Sequence, residues 1–234
     1  MGKIYVFGGG EISQKETYLL DKLVVSKLNK QHPKVLFIPT ASHDAEGYVA
    51  SFTRIYESLG CIVDSLLLVK ENITDDVIKE KILNADLIYV GGGNTLFMMD
   101  TWRRYKVDEL LIKAYHHGVV LSGLSAGGIC WFDYGYSDSL IIEGGYEYTY
   151  VEGLHLIHMD HNPHAEEEER QGFLNSFKKR KKKALSMDNL TLAYFENGYL
   201  KTGYKCNEKA KAILVQSSGE EVTCEEVFLE FILE

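Results

Sequence analysis

The first half of the chain alternates short apolar runs with longer amphipathic segments. The apolar runs predict strands at residues 3–7, 35–39, 62–69, 87–90 and 119–122. Helical spacing predicts helices at residues 15–29, 47–59, 95–102 and 107–117, and Thr74 begins another. Strands this apolar need cover on both faces, as in parallel sheets flanked by helices. We therefore predict a three-layer α/β fold with a mostly parallel sheet, as a single domain over residues 1–234.

The second half is less regular. Residues 140–151 suggest strand and loop, and further strands are predicted at residues 154–159, 190–195, 199–202 and 212–216. Residues 165–182 are predicted to form one charged helix, because acids at its start and bases at its end complement the helix dipole. Residues 222–233 fit either a strand pair or a short helix.

Glycine clusters follow three predicted strands: Gly8–Gly10, Gly91–Gly93 and the glycines around Ser125. In parallel α/β sheets, ligands bind at the carboxyl ends of the strands, so the clusters predict the location of a site. Gly91–Gly93 could also cradle a phosphate, but it lacks the Lys-Ser/Thr of a P-loop and the G-x-G-x-x-G spacing. Gly8–Gly10 has only a structural interpretation at this point.

The clearest chemical motif is the G-x-S-x-G sequence at residues 123–127. It follows a predicted strand and precedes an apolar stretch that can begin a helix, which is the context of a nucleophile elbow. Ser125 would sit on a strained turn, and the Ala126 N–H would face a developing oxyanion. The alternative is a glycine-rich turn with a bystander serine.

A serine nucleophile needs a base. Four of the eight histidines crowd one segment: His155, His158, His161 and His164. The residue pattern alone does not choose among them. Asp160 and the glutamates at 166–169 make a metal site the rival interpretation, but Pro163 breaks the segment and the four cysteines are scattered. We expect neither a metal nor a cofactor.

Charge and hydropathy limit the partners and the compartment. The chain has 34 acidic and 25 basic residues, for a net charge of −9, which disfavours nucleic acid as a partner. No apolar run reaches the ~18 residues of a membrane span, so no membrane partner is expected, and residues 1–7 are too short for a signal peptide. The widely spaced cysteines indicate reduced thiols, so we predict a cytoplasmic protein.

Three separated motifs together resemble the peptidase E (aspartyl dipeptidase) family of serine peptidases, which includes the cyanophycinases. They are Val90-Gly91-Gly92-Gly93-Asn94-Thr95, Gly123-Leu124-Ser125-Ala126-Gly127 and Asn162-Pro163-His164. Tyr194-Phe195-Glu196-Asn197-Gly198 matches more loosely. The resemblance extends from residue 1 to about residue 215. It implies a flavodoxin-like fold, similar to class I glutamine amidotransferases.

The resemblance also implies roles. Ser125 would be the nucleophile, His164 the base and Glu196 the acid that orients it, with Asp138 as the second candidate for the acid. The expected oxyanion donors are the backbone N–H groups of Gly92, Gly93 and Ala126, and the expected substrate-binding residues are Asn94, Thr95 and Arg170. Arg170 could equally form an ion pair on a helix surface.

The expected function is a serine hydrolase that cleaves dipeptides or short peptides, as a monomer or homodimer. The chain departs from the aspartyl dipeptidases at residues 133–138 and between His164 and Arg170, so a preference for N-terminal aspartate stays open. Two rivals remain: a binding protein that retains the pocket without catalysis, and a thiol enzyme using Cys130.

Overall fold

A computed structural model describes residues 2–233; Met1 and Glu234, the ends of the predicted single domain, lie outside the described residues. The strands are β1 Lys3–Phe7, β2 Lys34–Ile38, β3 Ile62–Ser65, β4 Leu87–Val90, β5 Val120–Leu124, β6 Phe132–Ser137, β7 Thr149–Glu152, β8 Ile157–Asn162, β9 Lys183–Met187, β10 Thr191–Glu196, β11 Tyr199–Lys205, β12 Ala212–Ser217, β13 Val222–Glu226 and β14 Leu229–Phe231. The helices are α1 Tyr18–Ser26, α2 Glu46–Ser58, α3 Asp75–Leu83, α4 Thr95–Tyr105, α5 Val107–His116, α6 Ala126–Ile129, α7 Ser139–Ile142 and α8 Phe173–Phe177.

Eight strands form the larger sheet, in the order β14-β11-β10-β1-β5-β4-β2-β3. Strands β1, β5, β4, β2 and β3 are mutually parallel, as the alternation of strands and helices predicted. Strand β10 runs antiparallel to β1 and to β11. The expected α/β fold class, with a mostly parallel sheet between helices, is confirmed.

Both faces of this sheet are buried, which explains the apolar strands. On β1, Tyr5 and Phe7 face a core shared with Leu20 of α1 and with Phe52 and Tyr56 of α2. Ile4 and Val6 face the opposite core, which includes apolar side chains of α3, α4 and α5. Because neighbouring residues of a strand point to opposite faces, a continuous apolar run is what a doubly covered strand requires.

A second sheet of six strands, in the order β13-β12-β9-β8-β6-β7, was not predicted. Its side chains Phe132, Ile157, Leu185 and Ala212 join the same core as Ile4 and Val6. It therefore covers part of one face of the larger sheet, where a helix was expected. Strands β6 and β9 lie in segments for which no strand was predicted. Residues 222–233, which fitted either a strand pair or a short helix, form the strands β13 and β14.

The long helix predicted at residues 165–182 is wrong. The segment contains two single 3-10 turns, Glu168–Arg170 and Lys178–Arg180, around the short helix α8. Only Phe173 and Phe177 supply buried apolar anchors, so a longer helix would have had no apolar face to bury. Arg180 instead lies over the rings of Tyr134 and Tyr150 and pairs with Asp160 in the second sheet. Within residues 2–233, every helix is too short or too polar to cross a membrane.

Candidate active site

A cavity of about 610 Å³ opens at the carboxyl ends of the central strands, as the glycine clusters predicted. Its wall contains the predicted residues Gly92, Gly93, Ser125 and His164. Seven further residues complete the lining: Gly10, Glu11, Ile12, Ser13, Gly47, Tyr48 and Leu124. The strand ends therefore bring together residues that lie far apart in the sequence.

Ser125 occupies a strained turn between β5 and α6. Its φ of 56° and ψ of −114° are rare for a residue with a side chain, and it stays partly exposed to the cavity. A Cβ atom on Gly123 would lie 2.0 Å from the carbonyl oxygen of Gly127, and one on Gly127 would lie 2.1 Å from that of Val90. Both glycines of the motif are therefore required by close backbone packing, and the turn presents Ser125 to the cavity.

Backbone N–H groups border Ser125. Ala126 is the first residue of α6, so its N–H has no acceptor within the helix. A Cβ atom on Gly92 would lie 3.3 Å from the Cβ of Ser125, which places this residue directly beside the nucleophile candidate. The N–H of Gly92 donates to the hydroxyl of Tyr48 at 3.3 Å.

His164 follows β8 and lies across the carboxyl end of β1. The backbone N–H of His164 donates to the carbonyl oxygen of Gly8 at 2.9 Å. Its Nδ1 lies 2.6 Å from Oδ1 of Asn189 and 3.2 Å from Oε1 of Glu167. Both partners are acceptors, so the neutral ring carries its proton on Nδ1 and keeps a lone pair on Nε2.

The triple glycine after β1 serves this histidine. A Cβ atom on Gly9 would lie 1.8 Å from Oδ1 of Asn189 and 2.4 Å from Nδ1 of His164. Only glycine allows the chain to pass the His164–Asn189 hydrogen bond this closely. The cluster at Gly8–Gly10, which had only a structural interpretation, thus shapes the site.

Burial lowers the pKa of His164 from its ordinary value of 6.5, and the positive charge of Arg170 lowers it further. Glu167 and Asn189 act in the opposite direction, because they stabilise the charged ring. The side chain of His164 is only 19% exposed, so water compensates little for the lost hydration. The net effect favours the neutral imidazole, which can accept a proton.

Glu196 is not near His164, so its predicted role as the orienting acid is wrong. It ends β10, which is antiparallel to β1, and pairs with Lys3 at the start of β1. His164 contacts Gly8, just beyond the end of β1. Five residues of extended chain separate the two ends by about 16 Å. Because β10 is antiparallel to β1, the carboxyl end of β10 lies beside the amino end of β1 and away from the cavity.

Asp138, the second candidate acid, lies 3.9 Å from the guanidinium of Arg170, and Asn189 and Glu167 occupy the position beside His164 that an orienting acid would take. Arg170 is 4% exposed and does not line the cavity, so the predicted contact with substrate and the alternative of an ion pair on a helix surface are both wrong. Its Nη1 donates to the carbonyl oxygen of Tyr136 at 2.8 Å. Arg170 thus acts on the site as a buried charge behind His164.

Asn94 and Thr95 do not line the cavity, contrary to the prediction that they bind substrate. The side chain of Asn94 caps α4, accepting from the N–H of Phe97 at 3.0 Å, and donates to Glu143 at 2.9 Å. The hydroxyl of Thr95 accepts from Ser137 at 3.1 Å. Both side chains are buried, and their hydrogen bonds stabilise the start of α4.

The structure also separates the four clustered histidines. His155 and His158 contact Asp133 on the surface, at 2.9 and 3.3 Å. His161 is buried against the ring of Phe132, and burial lowers its pKa to about 3. Only His164 of the four borders the cavity.

Cys130, the thiol alternative, is fully buried behind α6. Burial raises its pKa well above the ordinary value, so the reactive thiolate is disfavoured. Its Sγ donates to the carbonyl oxygen of Gly127 at 3.2 Å. This is the environment of a structural thiol.

Five polar residues of the site were not predicted: Glu11, Ser13, Tyr48, Glu167 and Asn189. Glu11 follows the triple glycine, so that cluster was the available signal. Tyr48 lies in the first turn of α2, and Asn189 follows a strand that was not predicted. Nothing in their local sequence distinguishes them from surface residues.

Solved structures share this fold. A candidate peptidase E from Listeria monocytogenes EGD-e superposes with a TM-score of 0.62 at 20% identity, over 97% of this chain and 100% of that chain. A peptidase from an acI-B1 Actinobacterium superposes with a TM-score of 0.64 at 18% identity, over 97% and 95%. At these identities the likeness establishes the fold alone.

Sequence relatives are closer but cover less. YgaJ of Bacillus subtilis, an uncharacterized peptidase, is 37% identical over 140 residues, which span 59% of this chain and 60% of that protein. Lmo0363 of Listeria monocytogenes, also an uncharacterized peptidase, is 36% identical over 103 residues, which span 43% and 49%. The model of peptidase family S51 matches residues 4–201, which confirms the resemblance found in the motifs. The chain therefore belongs to peptidase family S51.

Proposed function

We propose that this protein is a serine hydrolase that cleaves dipeptides or other short peptides through an acyl-enzyme. The observation that carries the proposal is one shared cavity, into which a strained Ser125 and the neutral, proton-accepting His164 both open. Membership of family S51 and its peptidase relatives supports the same reaction class.

The mechanism follows from the positions of these groups. Ser125 Oγ attacks the scissile carbonyl carbon while its proton passes to Nε2 of His164. The C–N bond then breaks, and the imidazolium gives that proton to the leaving amine. Water then attacks the acyl-enzyme ester in the same way, with His164 as the base, which releases the carboxylic acid product and restores Ser125. Catalytic hydrogen bonds between a nucleophile and its base are often long in substrate-free sites and tighten when substrate binds.

Asn189 and Glu167 replace the predicted acid in this scheme. Asn189 fixes the plane and tautomer of the ring through the 2.6 Å bond to Nδ1. Glu167, at 3.2 Å from the same atom, stabilises the imidazolium that forms after proton transfer. Asn189 also donates to Glu167 at 3.3 Å, so the three groups form one network.

The cavity favours short, uncharged or cationic substrates over N-terminal aspartate. Its volume of about 610 Å³ suits a ligand of a few residues. Glu11 is the acidic residue of its lining, and none of the lining residues is a lysine or arginine. A peptide ammonium group is therefore better matched than a side-chain carboxylate.

Hydrolysis of an X-Leu dipeptide panel tests the proposal. We expect turnover of several members with free amino termini and no selective preference for Asp-Leu. A fluorophosphonate probe should label Ser125 in the native protein and not after denaturation, because labelling needs the folded site. No turnover and no labelling would instead identify a binding protein that retains the pocket.

The pH dependence follows from the lowered pKa of His164. The base must be neutral, so the acid limb of kcat/KM should have its midpoint below pH 6.5. Glu167 raises this pKa, so Glu167→Gln should move the limb to still lower pH. The measurement is a kcat/KM profile from about pH 4 to pH 8. Glu168→Gln is the matched control, and an upward shift in Glu167→Gln would contradict the assignment.

A further inference from the structure

Tyr48 is the one tyrosine in the lining of the cavity. It lies in the first turn of α2, and its ring packs edge-on against Phe37 at 5.0 Å between centroids. A Cβ atom on Gly91 would lie 2.9 Å from Cε1 of Tyr48, so this glycine leaves the space that the ring occupies. The ring is thereby held against the glycine loop that borders Ser125.

The hydroxyl of Tyr48 has a partly used hydrogen-bonding capacity. It accepts from the N–H of Gly92 at 3.3 Å, and Gly92 lies beside Ser125. A phenol has one proton to donate as well. Within residues 2–233, the hydroxyl has no acceptor for that proton. Because Tyr48 lines the cavity, the proton remains available to a group bound there.

Protonation of this hydroxyl is secure. Burial raises the pKa of Tyr48 above its ordinary value, and the negative charges of Glu11 and Asp21 raise it further. The group is therefore a hydrogen-bond donor throughout the working range of a histidine base. Acceptance from Gly92 also polarises the O–H bond, which strengthens its donation.

We propose that Tyr48 is a further catalytic residue, whose hydroxyl donates a hydrogen bond to the oxyanion formed when Ser125 attacks the substrate carbonyl. Gly92 then acts through Tyr48: its N–H orients the phenol, while the Ala126 N–H contacts the oxyanion directly. This inference rests on the proposed function, since the oxyanion exists only in that reaction. It replaces the predicted direct donation from the N–H of Gly92.

Tyr48→Phe tests the inference, with Tyr199→Phe as the matched control because Tyr199 is 73% exposed and lies outside the site. We expect Tyr48→Phe to lower kcat by about 100-fold and leave KM unchanged, as for loss of one oxyanion donor. A peptide aldehyde, which forms a tetrahedral adduct with serine, should bind about 100-fold more weakly to the variant. Fluorophosphonate titration and melting temperature verify that the variant is folded and its serine reactive.

A rise in KM at constant kcat would overturn the proposal, because it would place Tyr48 in ground-state binding only. Unchanged kcat would overturn it as well. An aldehyde that binds both proteins equally, despite a lower kcat, would show a structural effect and also count against it. If Ser125→Ala keeps its activity, the proposed function fails and the role of Tyr48 fails with it; failure of Tyr48 alone leaves the function intact.

Discussion

Ser125→Ala is expected to lower kcat/KM by about 10⁴- to 10⁶-fold. The substitution removes the atom that forms the acyl-enzyme, and Ser13, the other serine of the cavity lining, lies outside the nucleophile turn. Residual activity would come from binding and the oxyanion donors alone. The substrate KM should change little, because alanine fills the same place in the turn.

Steady-state kinetics on the best dipeptide of the panel measures this effect. Cys130→Ala is the control, since the thiol is buried and points to a backbone carbonyl. We expect that variant to keep its activity within about threefold. Activity that survives Ser125→Ala and is lost in Cys130→Ala would replace the serine mechanism with a thiol one.

The second large effect concerns the group that orients His164. His164→Ala should lower kcat by about 10⁴-fold or more, because Ser125 loses its base. Asn189→Ala should lower kcat by about 10²-fold, because the ring loses its 2.6 Å anchor while Glu167 remains. The kcat of Glu196→Gln should stay within about threefold of the wild-type value, because Glu196 lies at the opposite end of the strands, beside Lys3.

Kinetics of the three variants, with circular dichroism to verify folding, shows whether Asn189 or Glu196 orients His164. If Glu196→Gln loses as much activity as His164→Ala while Asn189→Ala is active, then Glu196 and not Asn189 orients His164. Glu196 accepts a hydrogen bond from Tyr194 at 3.3 Å, so a small loss of stability in Glu196→Gln is compatible with the expected result.

Local sequence was sufficient for the elements that carry the nucleophile. The strand before Ser125, the glycines around it and the helix after it are dictated by apolar pattern and close backbone packing, which depend on near neighbours. The same holds for the parallel strands β1, β2, β4 and β5, whose continuous apolar runs require cover on both faces. The cavity location followed from the glycines at the strand ends.

Apolar pattern and glycine positions are therefore sufficient to predict the fold class, the nucleophile turn and the end of the strands where the site lies. The tertiary structure alone decided that β10 runs antiparallel to β1, which removes Glu196 from the site, and that β9 brings Asn189 to His164. Strand direction and pairing depend on contacts between distant segments, and the apolar pattern of a strand is the same in either direction. For that reason, the residues that contact His164 can be identified only once the pairing of the strands is known.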